Sequence, residues 1–213
     1  MNEFSKSYLE LVNGEFKGLN LTRIVDSEEF YHKQYLDSVL PFEKSDLIKE
    51  IISKHPLVID IGFGGGFPIL PLASCFKNLS FIGIETREKK LKAVKKIAET
   101  LNIYNVKFIH ARSENINIDK NSLITFKAVG KVDELLNQLM VTADHVWACL
   151  YKGPNFFTEE KDNLKKLKGW ELVNQFECEV PNTIGRTILI FKNKIKNVPR
   201  GTNKNLVKLS QIP

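Results

Sequence analysis

The residues that could bind a ligand in this chain stand just after short apolar runs. Gly62 and Gly64–Gly66 directly follow the run Leu57–Ile61. Glycine lets a backbone turn sharply and leaves its amides bare, so a ligand can lie against main-chain N–H groups there. Polar groups recur at the ends of later runs, at Glu85, at Ser113–Glu114 and at Lys127. In an open parallel sheet such positions share one edge, which is where ligands bind.

The glycine turn differs from the fingerprint of dinucleotide-binding folds. That fingerprint, G-x-G-x-x-G, would need a glycine where this chain has Phe67. Asp60 places an acid where a pyrophosphate would approach, and such an acid is common in methyltransferases that bind S-adenosylmethionine (SAM). The turn therefore favours SAM over NAD, and a glycine turn that binds nothing is the remaining alternative.

Apolar runs alternate with amphipathic stretches along most of the chain. Five strands are predicted at Leu57–Ile61, Asn78–Glu85, Val106–Arg112, Ser122–Val129 and Asp144–Gly153. Two further apolar runs, 170–180 and 186–194, flank the turn sequence PNTIG and predict a closing antiparallel pair. Helices are predicted between the strands, among them 132–143 and a polar one at 158–167. The sequence thus predicts an α/β three-layer sandwich of about seven strands.

The chain divides into three predicted parts. Residues 1–54 are read as a helical cap, in which Ser27 caps a helix that ends at Pro41. Residues 55–195 form the ligand-binding core. Residues 196–213 form a basic tail, in which Arg200 and Lys204 could lie along a phosphate backbone.

Composition limits the class of protein. The 213 residues are 43% hydrophobic and carry a net charge of +6, which is compatible with a polyanionic partner. The chain has no apolar run long enough to span a membrane, and its first residues do not resemble a signal peptide. Its three cysteines are widely spaced and odd in number, so neither disulfides nor a zinc site is expected. These features predict a cytoplasmic protein without a metal. Nothing in the sequence looks like an association surface, so a monomer is the expected state.

Several stretches together resemble the RsmG family, also called GidB, of bacterial 16S ribosomal RNA methyltransferases. They are VIDIGFGGGFPILPLA, IGIETREKKLKAVKKIAETLNIYNV, HARSEN, FKAVGKVDELL, LYKG and PRGTNKN. The resemblance covers nearly the whole chain. It implies a SAM-dependent methyltransferase fold with an N-terminal helical extension, acting on N7 of a guanine in 16S rRNA or in the 30S subunit.

The resemblance also implies which residues form the site. The residues expected to contact SAM are Gly62, Gly64, Gly66, Phe67, Glu85, Ser113, Glu114 and Lys127. The residues expected to contact RNA are Lys152, Arg200 and Lys204. The chain departs from the family pattern at three places. Lys127 replaces the usual Arg, Lys33-Gln34 replaces Arg-His, and Glu85 replaces Asp.

No catalytic side chain is expected, because guanine N7 has a free lone pair and carries no proton to remove. Four alternatives stay open from the residues alone. They are a methyltransferase acting on another RNA, one acting on a protein or small molecule, a non-catalytic RNA-binding module, and an NAD-dependent enzyme.

Overall fold

The computed structural model describes residues 2–195 and 206–212 and contains ten strands in that range. They are β1 (Leu57–Ile61), β2 (Ser80–Glu85), β3 (Val106–His110), β4 (Ile116–Ile118), β5 (Ser122–Lys127), β6 (Met140–Val141), β7 (Val146–Lys152), β8 (Trp170–Cys178), β9 (Arg186–Asn193) and β10 (Val207–Lys208). Seven of them form one sheet in the order β3-β2-β1-β5-β7-β9-β8. Of these, β9 runs antiparallel to both its neighbours. The other three form a small parallel sheet in the order β10-β4-β6.

Helices cover both faces of the large sheet. They are α1 (Glu3–Asn13), α2 (Ser27–Phe30), a π-helix (Tyr31–Leu36), α3 (Asp37–Lys44), α4 (Asp46–Lys54), α5 (Ile69–Cys75), α6 (Glu88–Thr100), α7 (Val132–Asn137) and α8 (Phe156–Glu159). Short 3-10 turns follow at Ser113–Asn115, Lys161–Lys166 and Leu209–Gln211. The first four α-helices share one hydrophobic core with α5 and α6, whereas α7 packs in a second core.

The alternation of side chains along β1 shows how the two cores arise. Successive residues of a strand point to opposite faces of the sheet. Val58 accordingly belongs to the core under the N-terminal helices, and Ile59 and Ile61 belong to the core on the other face. The predicted three-layer sandwich with about seven strands and an N-terminal helical extension is confirmed.

The structure corrects the start and end of the predicted cap helix. Asp26, not Ser27, caps α2, because its Oδ1 accepts from the backbone N–H groups of Glu28 and Glu29. Pro41 does not end the helix but lies inside α3. Its ring is buried in the core, and this packing outweighs the main-chain hydrogen bond that a proline cannot donate.

Two predicted helices are shorter than expected. The helix predicted over 132–143 ends at Asn137, because Met140–Val141 pairs with β4 instead. The polar helix predicted at 158–167 is mostly a 3-10 turn. β4 and β10 were not predicted, since strands of two or three residues leave no periodic pattern. Leu209, just after β10, is fully buried in the second core, so residues 206–212 return to the domain.

Candidate functional site

A cavity of about 380 Å³ lies at the carboxyl ends of β1, β2 and β3. Its volume falls within the range of roughly 300–1,000 Å³ typical of small-molecule sites. The charged and polar residues of its lining are Glu85, Thr86, Arg87, Lys90, Ser113 and Gln138. The other lining residues are Ile61, Gly62, Gly64, Ile84, Ala111, Ala128, Val129 and Leu135. Four residues predicted from the sequence, Gly62, Gly64, Glu85 and Ser113, thus meet in one cavity.

The glycine turn supplies bare backbone to this cavity. Gly62 and Gly64 have φ angles of 75° and 56°, a region that side chains with a Cβ rarely adopt. A Cβ at Gly64 would enter open space, with no atom nearer than the Gly62 carbonyl at 3.9 Å. Glycine therefore keeps the turn in this conformation and keeps that space clear for a ligand.

Glu85 joins the turn to the end of β2. Its Oε2 accepts from Gly64 N at 2.9 Å, and its Oε1 accepts from Arg87 N at 2.9 Å and from Thr86 Oγ1 at 3.3 Å. A carboxylate has about four acceptor positions. Among the residues that the structure describes, Oε2 accepts only from Gly64 N, so a further acceptor position can receive a hydroxyl from a ligand.

Asp60 lies beneath the turn and does not line the cavity. Its side chain is buried, with Oδ2 accepting from Ile69 N at the start of α5 and Oδ1 accepting from Thr125 Oγ1. Burial raises the pKa of Asp60 to about 7, although both hydrogen bonds act in the opposite direction. The acid that the sequence places in a ligand's path thus anchors the helix that follows the turn.

The N-terminal cap holds the other side of the turn. Tyr8 Oη donates to the Gly65 carbonyl at 2.6 Å. A Cβ on Gly65 would collide with the Leu21 carbonyl, so only glycine allows this approach. Phe67 is buried among the cap rings of Tyr8 and Phe30.

Gly66 and Phe67, which the sequence assigns to SAM, are not part of the cavity lining. A Cβ on Gly66 would press on Leu70 and Val94, so this residue lets α5 and α6 pack closely. In the structure both residues support the shape of the turn.

Lys127 lies at the end of β5 in a buried cluster of charges. Its Nζ contacts Asp37 Oδ2 at 2.8 Å, and Asp37 also accepts from Arg186 Nε at 2.7 Å and from Arg186 Nη2 at 3.1 Å. Gln34 Oε1 accepts a further hydrogen bond from Lys127 at 3.1 Å. Burial lowers the pKa of Lys127, while Asp37 raises it.

We call Asp37, Lys127 and Arg186 the charge triad. It connects the cap to two strands of the sheet, and Lys127 does not line the cavity. The sequence gives little sign of it, because its members are up to 149 positions apart.

The remaining predicted residues lie away from the cavity or outside the described part of the chain. Glu114 is exposed and contacts Arg112 at 3.6 Å. Lys152 is buried, with its Nζ donating to the Gly130 carbonyl and to Glu160. Arg200 and Lys204 lie outside the described residues. The roles of all four stay predictions.

The structure adds lining residues that the sequence did not suggest. Arg87 directly precedes α6, Lys90 lies in its first turn, and Gln138 follows α7. Arg87 and Lys90 lie within five positions of Glu85, so their proximity to the strand end was the available signal. Gln138 is brought to the cavity by the tertiary fold alone.

The lining residues fit SAM. Glu85 has acceptor capacity for a ribose, the glycine turn leaves open space beside Gly64 for the methionine part, and apolar walls such as Ala111 and Val129 suit an adenine ring. Among the described residues, no group of three or more His, Cys, Asp or Glu side chains could hold a metal ion. No helix in the described ranges is both long and apolar enough to cross a bilayer.

The sequence model of one protein family, described as rRNA small subunit methyltransferase G (GidB), matches residues 1–182. The chain belongs to this family. A relative from Lactobacillus johnsonii, named ribosomal RNA small subunit methyltransferase G, is 31% identical over 93% of this chain and 84% of its own length. A relative of the same name from Mycoplasma capricolum is 30% identical over 89% of this chain and 81% of its own length.

Solved structures share the fold at low identity. Magnesium protoporphyrin IX methyltransferase from Synechocystis, solved with bound SAM, has a TM-score of 0.54 at 12% identity and covers 91% of this chain and 98% of its own. A SAM-dependent methyltransferase from Aquifex aeolicus has a TM-score of 0.50 at 15% identity, covering 77% and 95%. At these identities the likeness concerns the fold.

Proposed function

We propose that this protein transfers a methyl group from SAM to N7 of a guanine in the 16S RNA of the small ribosomal subunit. One observation carries the proposal: a cavity of suitable volume joins Gly62, Gly64, Glu85 and Ser113 at the edge of the sheet. Membership of the GidB family supports the RNA substrate. The site of action is then the cytoplasm, where the ribosome is assembled.

Each lining residue has a proposed role in binding the cofactor. Glu85 accepts the ribose hydroxyls and is held in place by Gly64 N and Arg87 N. Gly62 and Gly64 present the turn to the methionine part, and Ser113 and the apolar walls enclose the adenine. SAM supplies a methyl group on a positively charged sulfur.

The reaction then needs positioning more than proton transfer. The N7 lone pair forms the new bond to the methyl carbon as the carbon–sulfur bond breaks, and the bonding pair stays on sulfur. Sulfur becomes neutral, the purine gains the positive charge, and no proton moves. Holding two reactants in line can lower the barrier by about 7–11 kcal/mol. The absence of a proposed general base is consistent with this chemistry.

Because the purine becomes positively charged, the reaction is favoured at a site where nearby cations are paired with anions. Lys127 would oppose that charge if its ammonium faced the base alone. It is instead paired with Asp37. The charge triad therefore lets a basic protein place a cation at the end of β5 with its charge partly balanced.

Transfer of radiolabelled methyl from SAM tests the proposal. The substrates are 30S subunits and naked 16S rRNA from a strain that lacks this gene, and strand cleavage specific for 7-methylguanine maps the product. We expect label at one guanine N7. Transfer to a protein or to another RNA in the same extract, with none to 16S rRNA, would favour the alternative methyl acceptors.

A further inference from the structure

A second cavity, of about 610 Å³, lies between the cap and the turn that joins β8 to β9. The cap side is formed by Ile24, Lys33, Gln34 and Asp37, and the other side by residues 182–186. We call it the hairpin cavity. It is separate from the cavity assigned to SAM, and the proposed cofactor-binding roles do not use it.

The two cavities flank the same strand end. Ala128 and Val129, which follow β5, line the SAM cavity. Gln34 and Asp37, which line the hairpin cavity, both contact the Nζ of Lys127, the last residue of β5. A ligand in the hairpin cavity would thus be close to the edge where the methyl group is proposed to be presented.

The lining of the hairpin cavity suits a flat, polar ring. Ile24 stands on one side and Ile184 on the other, and Ile184 is 80% exposed although it is a large apolar side chain. Enzymes that act on a nucleobase take it out of its stack and hold it between apolar or aromatic side chains, while polar groups contact its edge. An exposed isoleucine at the mouth of a polar cavity is suited to that contact.

The floor of the hairpin cavity donates hydrogen bonds. Gln34 Oε1 is occupied by Lys127, and within the described residues nothing accepts from Gln34 Nε2. The Arg186 side chain is 30% exposed, while its Nε and Nη2 atoms contact Asp37. Two cations around one carboxylate leave the charge triad with a net charge of +1. Such a floor attracts acceptor atoms of an anionic ligand.

Guanine matches this pattern better than adenine. Next to N7 guanine carries the acceptor O6, whereas adenine carries an amino donor at the same place. A donor such as Gln34 Nε2 would bind O6 of guanine, whereas it would leave the amino group of adenine poorly paired. Asp37 also lines the cavity, and its carboxylate balances one of the two cations that would otherwise oppose the charge that N7 gains on methylation.

We propose that the hairpin cavity receives the acceptor guanine, and that Gln34 and Arg186 select guanine by donating hydrogen bonds to O6. This inference rests on the proposed function, because it supplies the base to that reaction. Lys33, on the same wall, pairs with Glu29 at 2.6 Å, and since this ion pair is exposed, Lys33 can exchange it for an adjacent phosphate.

Gln34→Glu tests the role of the donor with little change in shape. Glutamate keeps an oxygen for Lys127 but replaces the amide donor with an acceptor, so it should repel O6. We expect kcat/KM for 16S RNA to fall about 10- to 100-fold, the effect of losing one good base-edge contact. SAM affinity, measured by calorimetry, should stay unchanged. Gln175→Glu adds the same charge on the exposed face of β8 and serves as the matched control.

A crosslinking experiment locates the base without relying on a variant. The RNA carries 6-thioguanine at the mapped target position, so that sulfur replaces O6, and the full-length wild-type protein is irradiated with it. Crosslinks to peptides that contain residues 33–37 or 182–186 are expected.

The outcomes separate this inference from the proposed function. If wild-type protein methylates no 16S RNA, the proposed function fails first. If it does, and Gln34→Glu matches Gln175→Glu in kcat/KM or the crosslinks fall elsewhere, the assignment of the hairpin cavity is wrong.

Discussion

Replacing Asp60 by asparagine removes a buried charge while keeping its hydrogen bonds. Asparagine Oδ1 can accept from Ile69 N, and its Nδ2 can donate to Thr125 Oγ1, which are the two partners of the native carboxylate. Since Asp60 is only 1% exposed, the variant changes neither the surface nor the volume of the core. Any effect on stability should then come from the charge.

The magnitude follows from the pKa of Asp60. Burial raises it from 3.8 to about 7. Between these two values the folded protein holds a proton that the unfolded chain has lost, so the free energy of unfolding falls as pH rises. The full effect, present above about pH 7, is about 4 kcal/mol. Below about pH 4 both states are protonated and the effect vanishes.

Urea unfolding of both proteins across about pH 4.5 to about pH 8 measures this effect. Other groups titrate equally in the two proteins, so the difference between the curves isolates Asp60. We expect the advantage of Asp60→Asn to grow by about 3 kcal/mol across that range. Glu43→Gln, on the exposed side of α3, is the control. Parallel curves for wild type and Asp60→Asn would refute the reasoning that burial of this carboxylate is costly at neutral pH.

Three further outcomes are expected. Gly64→Val should abolish SAM binding in calorimetry, because a branched side chain at positive φ would distort the turn and enter the open space; a Kd within about twofold of wild type would contradict this. Leu209→Ala should lower the free energy of unfolding by about 2–5 kcal/mol, measured in urea, since the side chain is fully buried; an unchanged midpoint would show that residues 206–212 do not dock in solution. Replacing Arg200 and Lys204 together by alanine should reduce the salt dependence of RNA binding by a slope of about 2 without changing SAM affinity, and an identical slope would exclude them as phosphate contacts.

The edge of the sheet that carries the cavity could be predicted from the sequence, because its signals are local. A buried strand followed by glycines, as at Ile61 and Gly62, is read from adjacent residues. Acids such as Glu85 are placed by counting one helix and one strand onward. The closing hairpin was predicted from two apolar runs on either side of a turn sequence, whereas the order of the strands was not predicted.

Contacts between distant parts of the chain could not be predicted. The sequence shows Gly66 and Phe67 as members of one glycine motif, yet the structure separates them from Gly64 because the cap and α6 cover them. The sequence predicts a SAM contact for Lys127, whereas in the structure Asp37 of the cap pairs with its ammonium, a contact that the sequence did not indicate. Pairing over such distances depends on tertiary packing, which a pattern of neighbouring residues does not contain.

The charge triad can form only late in the synthesis of the chain. The carboxylate of Asp37 leaves the ribosome long before its partners, since Lys127 is 90 positions later and Arg186 is 149 positions later. Domains form as the chain emerges from its N-terminus. The cap helices can therefore fold early, but the junction between the cap and the sheet is completed only when β9 has been translated. A nascent chain that stops before Arg186 would have an intact glycine turn, but the charge triad at the end of β5 would lack its third member.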